Sequence, residues 1–596
     1  MRRDFLALCF DATSAEACAL VAAVSDRIAG CDVWAPGLRL KGCVVWRRGR
    51  AGLPVQVLPE DGGLLIGEVF ERSGRGVASP LHGRRLTARD LCRSIWGGYA
   101  ALLRAPDGTW QVFREPSGQM DVLTWRLDHG VAVVASTFAA LPPGLCPRGL
   151  GLDWDRIVAF VTVPVAATTE SLLGGVTAIG PGEQRPAGGG PVDVVWSPLD
   201  HVGPVDASAE ELAQAFVARV DSCAAALLAG HERALFELSG GLDSSVLAAA
   251  VAQNGHLGRI ATWLNYADPR PEADERAYAQ AVADRHGFEL TVLERRPSPL
   301  DPARFADLGR QTWPAIAGVD ATRDLDAVAR IEALGATAIV SGQGGDSIFF
   351  QSSSPLLAGD LWREQGLLAT LFDPRLAALA RRSRRSVWRV LAEARHGVHG
   401  RASGVKNVNH LVTPEAHAFA AGTEHAWVKA LDHADLPPAK RVHVRALATG
   451  QFNHAASRRR EVADLVYPFL AQPVMELALG VPAHVLTGGS VARPFQRRAF
   501  ADRLPPLVRD RRAKGEVSVY VARMMAESLD ALRPYLIDGV LADAGVLDRG
   551  RLIQVLDRDY LIHTAAGTDL VGAIATEAWV RHWQGQMPDA RGAWSR

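Results

Sequence analysis

Ala234-Leu-Phe-Glu-Leu-Ser-Gly-Gly-Leu-Asp-Ser-Ser-Val-Leu-Ala-Ala-Ala-Val251 decides the fold. An apolar run ends at Leu238, a glycine turn spans Ser239–Ser245, and a second apolar run opens at Val246, which reads as strand, turn and helix. Gly240 and Gly241 let the backbone approach a ligand closely, and the N–H groups at the start of the new helix favour an anion. Ser239, Ser244 and Ser245 add hydroxyl donors. Asp243 is sensible beside a phosphate only if it carries Mg²⁺. The stretch therefore reads as a nucleotide pyrophosphate site. It is not a Walker loop, because neither G-x-x-x-x-G-K-[ST] nor the dipeptide Gly-Lys occurs in the chain.

Strand-like runs recur downstream at Arg259–Asn265, Glu289–Leu293 and Ala336–Val340, with helical patterns between them. Such alternation predicts a doubly wound parallel sheet, whose ligands sit beyond the carboxyl ends of the strands. The third of these runs feeds a second glycine turn, Ser341-Gly-Gln-Gly-Gly-Asp346. Gly342 and Gly344 would flank the nucleotide, and Asp243 and Asp346 together make a carboxylate pair suited to Mg²⁺ on ATP.

From Phe5 to about Leu141 short apolar runs alternate with turns: Leu64–Phe70, Tyr99–Leu103, Trp110–Phe113, Val122–Trp125 and Val131–Ala135. These predict a strand-rich, layered domain. Pro186–Gly203 reads as a linker, and Ala207–Leu228 as an amphipathic helix. At 596 residues the chain needs several cores, and with 48% hydrophobic residues, 22% charged and a net charge of +0 it belongs with globular proteins and has no bulk attraction to nucleic acid. Its seven cysteines contain no C-x-x-C pair, which argues against a disulfide framework or zinc and fits a reducing cytoplasm. No run approaches the length of a membrane helix, so no membrane partner is expected.

Gly67-Glu-Val-Phe70, Trp96-Gly-Gly-Tyr99, Arg114-Glu-Pro-Ser-Gly118, Val134-Ala-Ser136 and Ile179-Gly-Pro-Gly182 resemble, in order, motifs of the glutaminase half of asparagine synthetases. Asp274-Glu275-Arg276 with Tyr278-Ala279, Asp464–Leu470, Arg493–Ala499 and Arg512-Ala-Lys-Gly515 resemble elements of the synthetase half. Asp464 stands where the family has Glu, and Arg493 where it has Lys. The family's glutamine-hydrolysing cysteine follows the initiator methionine; here that place holds Arg2, and Cys9 lies inside a strand pattern. The resemblance therefore implies an inactive glutaminase-like (Ntn-type layered) domain over residues 1–200. An ATP-pyrophosphatase domain over 205–525 would follow, with a helical or irregular substrate-recognition insertion at 361–450, and then a helical extension over 526–596.

The same resemblance implies that a substrate carboxylate attacks the α-phosphate of ATP and that an amine then displaces AMP. Leu238 and the Ser239 loop would cradle the pyrophosphate, and Lys514 would stabilise the transition state. Without ammonia from glutamine, the amine most simply belongs to the substrate, and closure within one molecule gains from proximity. Lasso-peptide cyclases do this, and the Ser341–Asp346 loop and the Tyr467–Pro473 run look closest to them. That branch implies a precursor peptide, a leader peptidase and a leader-recognition protein as partners. The alternatives are a β-lactam-type cyclase, an ammonia-dependent synthetase and a non-catalytic scaffold. The base for the amine is open at this level: Gln343 sits in the second loop but cannot serve as a base, whereas Asp464 or the adenylate's own phosphate can. The basic run Arg381–Arg385 with Trp388 reads as a solvated face or an acidic-partner patch, and Gly397–Gly450 as irregular.

Overall fold

The computed structural model describes residues 3–49, 52–72, 84–138, 141–142, 144–163, 170–203, 207–271, 273–399, 408–420, 425–451, 454, 457–489, 491–512, 517–564, 566–587 and 594. Arg2 and Lys514 lie outside them.

The first strand, Asp4–Cys9, is buried along its whole length, and its alternation divides two cores. Phe5, Ala7 and Cys9 join an interior shared by two stacked sheets, while Leu6 and Leu8 join a core shared with helices. The strand pairs with Cys43–Arg48 and Ala132–Ala135 in one six-stranded antiparallel sheet. A second six-stranded sheet, centred on Gly63–Glu71, Ile95–Arg104 and Trp110–Arg114, lies across that interior. The layered arrangement expected from the apolar runs is present. All seven cysteines are free thiols, with Cys9 and Cys43 sulfurs 4.0 Å apart.

Pro186–Gly203 is not a linker. Its glycines and prolines are hairpin chemistry: Asp193–Val194 pairs with Glu183–Pro186, a 3-10 turn runs Pro198–His201, and Trp196 is buried with its ring 5.4 Å from that of Trp427. The helix Ala209–Ala229 follows, started by a capping box between Ser208 and Glu211. By length and composition this helix would suffice to cross a membrane, contrary to the expectation from sequence. Its apolar face is spent inside the protein, where Phe216 lies 5.3 Å from both Phe349 and Phe495.

Five parallel strands form the second half, in the order Leu290–Glu294, Ile260–Ala267, Ala234–Glu237, Ala338–Ser341, Asp464–Val466. The fifth is only three residues long, too short to show a period in sequence. Gly397–Gly450, read as irregular, contains the helices Pro414–Ala420 and Ala426–Lys429 and most of Pro438–Gln451, with 400–407 and 421–424 outside the described residues. Pro438 opens the third helix and sits against Gly359 and Gly397 of neighbouring helices, so tertiary packing supplies what the pattern lacked. The last long helix, Gly567–Gln586, ties the halves together: Trp583 lies 5.6 Å from Phe138, and the Trp579 indole donates to the Gln311 carbonyl at 3.0 Å.

Two buried histidines hold neutral rings near the junction of the halves. Burial, aided by Arg114, pushes His425 down to about 4, and burial with Arg460 and Arg114 pushes His454 down to about 3. In the unfolded chain both protonate as pH falls through the ordinary 6.5, while the folded rings stay neutral to about 4 and 3, so stability drops as pH falls through that window and is whole above it. His425 also accepts the Trp427 N–H at 3.1 Å through Nδ1. His425→Asn keeps an acceptor there without the titration. It is expected to remove about 2 kcal/mol of the stability lost between roughly pH 7 and 5, read by urea unfolding.

Candidate nucleotide site

The two glycine turns leave adjacent parallel strands at their carboxyl ends, where Glu237 pairs in register with Ser341. The helix Leu242–Gln253 begins at Gly241 with no side-chain cap, so its first N–H groups face the turn. Ser239 and Ser244 hydroxyls are 3.0 Å apart, and Ser245 donates to the Gly241 carbonyl at 2.8 Å, which fixes the turn's shape.

Two glycines set the close contacts. Gly240 has φ +84°, and a Cβ there would lie 2.6 Å from the Glu275 carbonyl, so the Asp274–Ala279 element borders the loop. A Cβ on Gly345 would lie 2.3 Å from Asp243 Oδ1, so the second turn presses directly on the first turn's carboxylate.

A cavity of about 500 Å³ opens over both turns. Leu238, Ser239, Gly241, Asp243, Ser244, Gly342, Gln343, Gly344 and Asp346 line it; Gly240 and Ser245 shape the turn from behind. Lys514 is outside the described residues, although Tyr520, a few residues on, reaches the cavity wall.

Asp243 and Asp346 are brought together, and Arg493 joins them. Its Nη1 donates to Asp243 Oδ1 and Oδ2 at 2.6 and 2.5 Å and contacts Asp346 Oδ1 at 2.9 Å. Gln496 Nε2 donates to Asp243 Oδ1 at 2.9 Å. Among the described residues no group of three or more His, Cys, Asp and Glu side chains is placed to hold a metal. Two carboxylates form a hard, all-oxygen set that suits Mg²⁺ arriving with phosphates and waters as its other ligands, and not a free ion in a protein cage.

Sequence reasoning missed the cavity's cationic wall. Glu237, hidden in an apolar strand run, ends its strand inside the cavity and accepts from Arg323 at 2.8 Å and Arg459 at 3.0 Å. Burial works to raise its carboxyl, but Arg323 and Arg459 outweigh burial and hold it below the usual range. Arg323 lies 5.5 Å over the Tyr266 ring, and Arg295, paired with Asp320, lies 3.7 Å over Tyr520. Arg295 directly follows the strand Leu290–Glu294, whereas Arg323 lies in the helix Ala321–Leu334 and Arg459 in the helix Arg458–Val462, so no motif gathers them in the sequence.

Asp464 is not in this cavity, which corrects its reading as the amine's base. It opens the fifth strand in register with Ala338 and hence Ala234, at the amino end of the sheet, about 10 Å of strand from the glycine turns. There Arg3 spans Glu68 at 2.7 Å and Asp464 at 2.5 Å across a cavity of about 100 Å³ between the two halves. No cysteine is among that cavity's lining residues. Asp464→Asn is therefore expected to lower stability by on the order of 1 kcal/mol and to slow adenylation and amide formation equally, as measured by chemical denaturation and separate assays of the two steps. A selective loss of amide formation would restore Asp464 as the base.

A search among curated proteins finds no match. A scan of protein families matches asparagine synthase over residues 218–581, well over half of the 596. Since that match starts in the helix ahead of the first glycine turn and runs to the last long helix, this chain belongs to the asparagine synthase family, whose enzymes form amides with ATP.

Proposed function

We propose that this enzyme adenylates an Asp or Glu side chain of a precursor peptide and closes a macrolactam with the peptide's own N-terminal amine, releasing pyrophosphate and AMP. The observation that supports the choice of amine is the cavity of about 100 Å³ between the halves, where Arg3 pairs with both Glu68 and Asp464 and no cysteine is among the lining residues. The nucleotide cavity keeps its two turns and its carboxylate pair, so activation has its parts while an ammonia source does not.

ATP enters with its pyrophosphate over the Ser239 turn, whose hydroxyls and helix-start N–H groups donate to phosphate oxygens. Asp243 and Asp346 would hold Mg²⁺ carried on the nucleotide, which would supply charge neutralisation of the leaving pyrophosphate. Arg295 and Arg323, each held over a tyrosine ring, line the same cavity and suit a substrate carboxylate, orienting it for attack on the α-phosphate. Lys514 contributes positive charge as the α-phosphate becomes five-coordinate.

In the second step the amine nitrogen forms its bond to the acyl carbon as the bond from that carbon to the AMP oxygen breaks. The amine's proton needs an acceptor. Arginines hold both Glu237 and Asp268 below the usual carboxylate range, the former against burial by Arg323 and Arg459, the latter through its hydrogen bond with Arg270. Such carboxylates are poor bases near neutral pH. The adenylate phosphate, released as AMP, takes the proton.

The test is pyrophosphate exchange into ATP with added peptide. Exchange that requires a peptide with a free N-terminus and a downstream Asp or Glu, together with AMP release and loss of one water from the peptide mass, supports the reading. Exchange driven by free Asp with ammonium consumption overturns it in favour of an ammonia-dependent synthetase. Leader peptidase and leader-recognition protein are the partners this reading calls for.

A further inference from the structure

Arg493 precedes Pro494 at the start of the helix Pro494–Ala499 with φ +52° and ψ +54°, a left-handed conformation that a non-glycine residue before proline rarely adopts. Such strain persists only where the surroundings over-determine it. Here the determinant is charge: the side chain is buried, 4% exposed, and one guanidinium nitrogen serves both Asp243 and Asp346. The guanidinium thus stands where a divalent ion shared by the two carboxylates would stand. Two buried polar atoms beside it are unsatisfied, Arg493 Nε and Gln496 Oε1. Arg493 does not line the nucleotide cavity itself, but both carboxylates it holds do, so its unpaired Nε–H lies just behind that cavity and suits an anionic ligand bound there.

We propose that Arg493 is a resident counter-cation that excludes free divalent ions from Asp243 and Asp346, so that metal enters only together with ATP, whose phosphates receive the displaced guanidinium. The inference rests on the nucleotide-metal reading of that carboxylate pair given above. A bare ion has to expel a buried cation that already offsets half of the pair's charge, and the expelled guanidinium then lacks a partner. Metal bound to ATP brings several phosphate oxygens, which accept the planar guanidinium through two N–H groups at once, including the Nε–H that is unpaired now. A lysine at this position has a single compact ammonium and offers no such fork.

Mn²⁺ binding to the full chain, followed by loss of the free-ion EPR signal, tests this. Wild type is expected to bind Mn²⁺ only when ATP is present. R493Q is expected to bind nucleotide-free Mn²⁺ at least about tenfold more tightly than wild type, with an Mn²⁺-dependent rise in melting temperature that wild type lacks. R493K, which keeps a cation, is expected to stay within about threefold of wild type. Equal nucleotide-free affinities in wild type and R493Q overturn the inference and leave the nucleotide reading standing. If R493Q fails to fold, wild type alone decides, because Mn²⁺ affinity without ATP matching that with ATP overturns it too. Absence of any ATP-dependent Mn²⁺ binding in wild type removes the nucleotide-metal reading itself, and this inference with it.

Discussion

Asp243→Asn lowers peptide-dependent pyrophosphate exchange by at least about 10³-fold, the largest functional effect expected in this chain. The substitution keeps an oxygen to accept from Arg493 and Gln496 but removes the charge that a nucleotide-bound metal needs. Arg493 retains Asp346 at 2.9 Å, so the fold survives with a loss of about 2 kcal/mol, read by chemical denaturation. Asp346 is the useful contrast. Its side chain is 49% exposed against 14% for Asp243, so Asp346→Asn should abolish exchange almost as fully while hardly changing stability. Exchange within about tenfold of wild type in Asp243→Asn would reduce that carboxylate to an anchor for Arg493 and remove it from the chemistry.

How far this site was legible depends on where each residue's signal resides. The Ser239 turn was legible because glycines, hydroxyls and a strand-to-helix switch coincide within a few residues. The pairing of Asp243 with Asp346 needed only the rule that ligands gather at the carboxyl ends of parallel strands, and the register of Glu237 with Ser341 supplies the rest. Arg493 was visible as a substitution within a motif, but nothing local says that its guanidinium crosses 250 residues of chain to meet Asp243 and reaches Asp346 as well. Asp464 shows the opposite failure. Its motif position suggested proximity to the chemistry, yet a strand has two ends, and its register puts it at the wrong one. The tail over 526–596 read only as a helical extension. Even so, its last helix closes the core that Leu6 and Leu8 begin, a contact between chain ends that periodicity cannot show.

Arg459→Met is expected to cost about 3–5 kcal/mol, the largest single effect on stability. Arg459 lies in the short helix Arg458–Val462 and is 8% exposed. Its Nε donates to Asp324 Oδ1 at 2.7 Å and its Nη1 to Glu237 Oε1 at 3.0 Å, and the Arg458 N–H adds a bond to Asp324 Oδ2 at 2.8 Å. One cation thereby joins three elements: the strand that ends in the Ser239 turn, the helix Ala321–Leu334, and the helix leading into the fifth strand. Without it Asp324, 2% exposed and already pushed up by burial, keeps the Arg458 N–H and the field of Arg323, and Glu237 keeps its bond from Arg323 and the field of Arg295. Loss of Arg459 removes the main charge opposing burial at Asp324 and so raises its carboxyl further, which makes the variant's stability fall more steeply than wild type's as pH rises above the ordinary carboxylate range, while the buried histidines contribute alike to both. Adding Glu237→Gln to Arg459→Met should recover part of the loss, because it removes a charge left underpaired, and the coupling is measured by a double-mutant cycle in urea. Full additivity would mean that the Arg459 and Glu237 charges do not sense each other. The strand end carrying the Ser239 turn would then be positioned by its sheet partners alone, and the arginines behind the nucleotide cavity would serve the substrate without holding the frame.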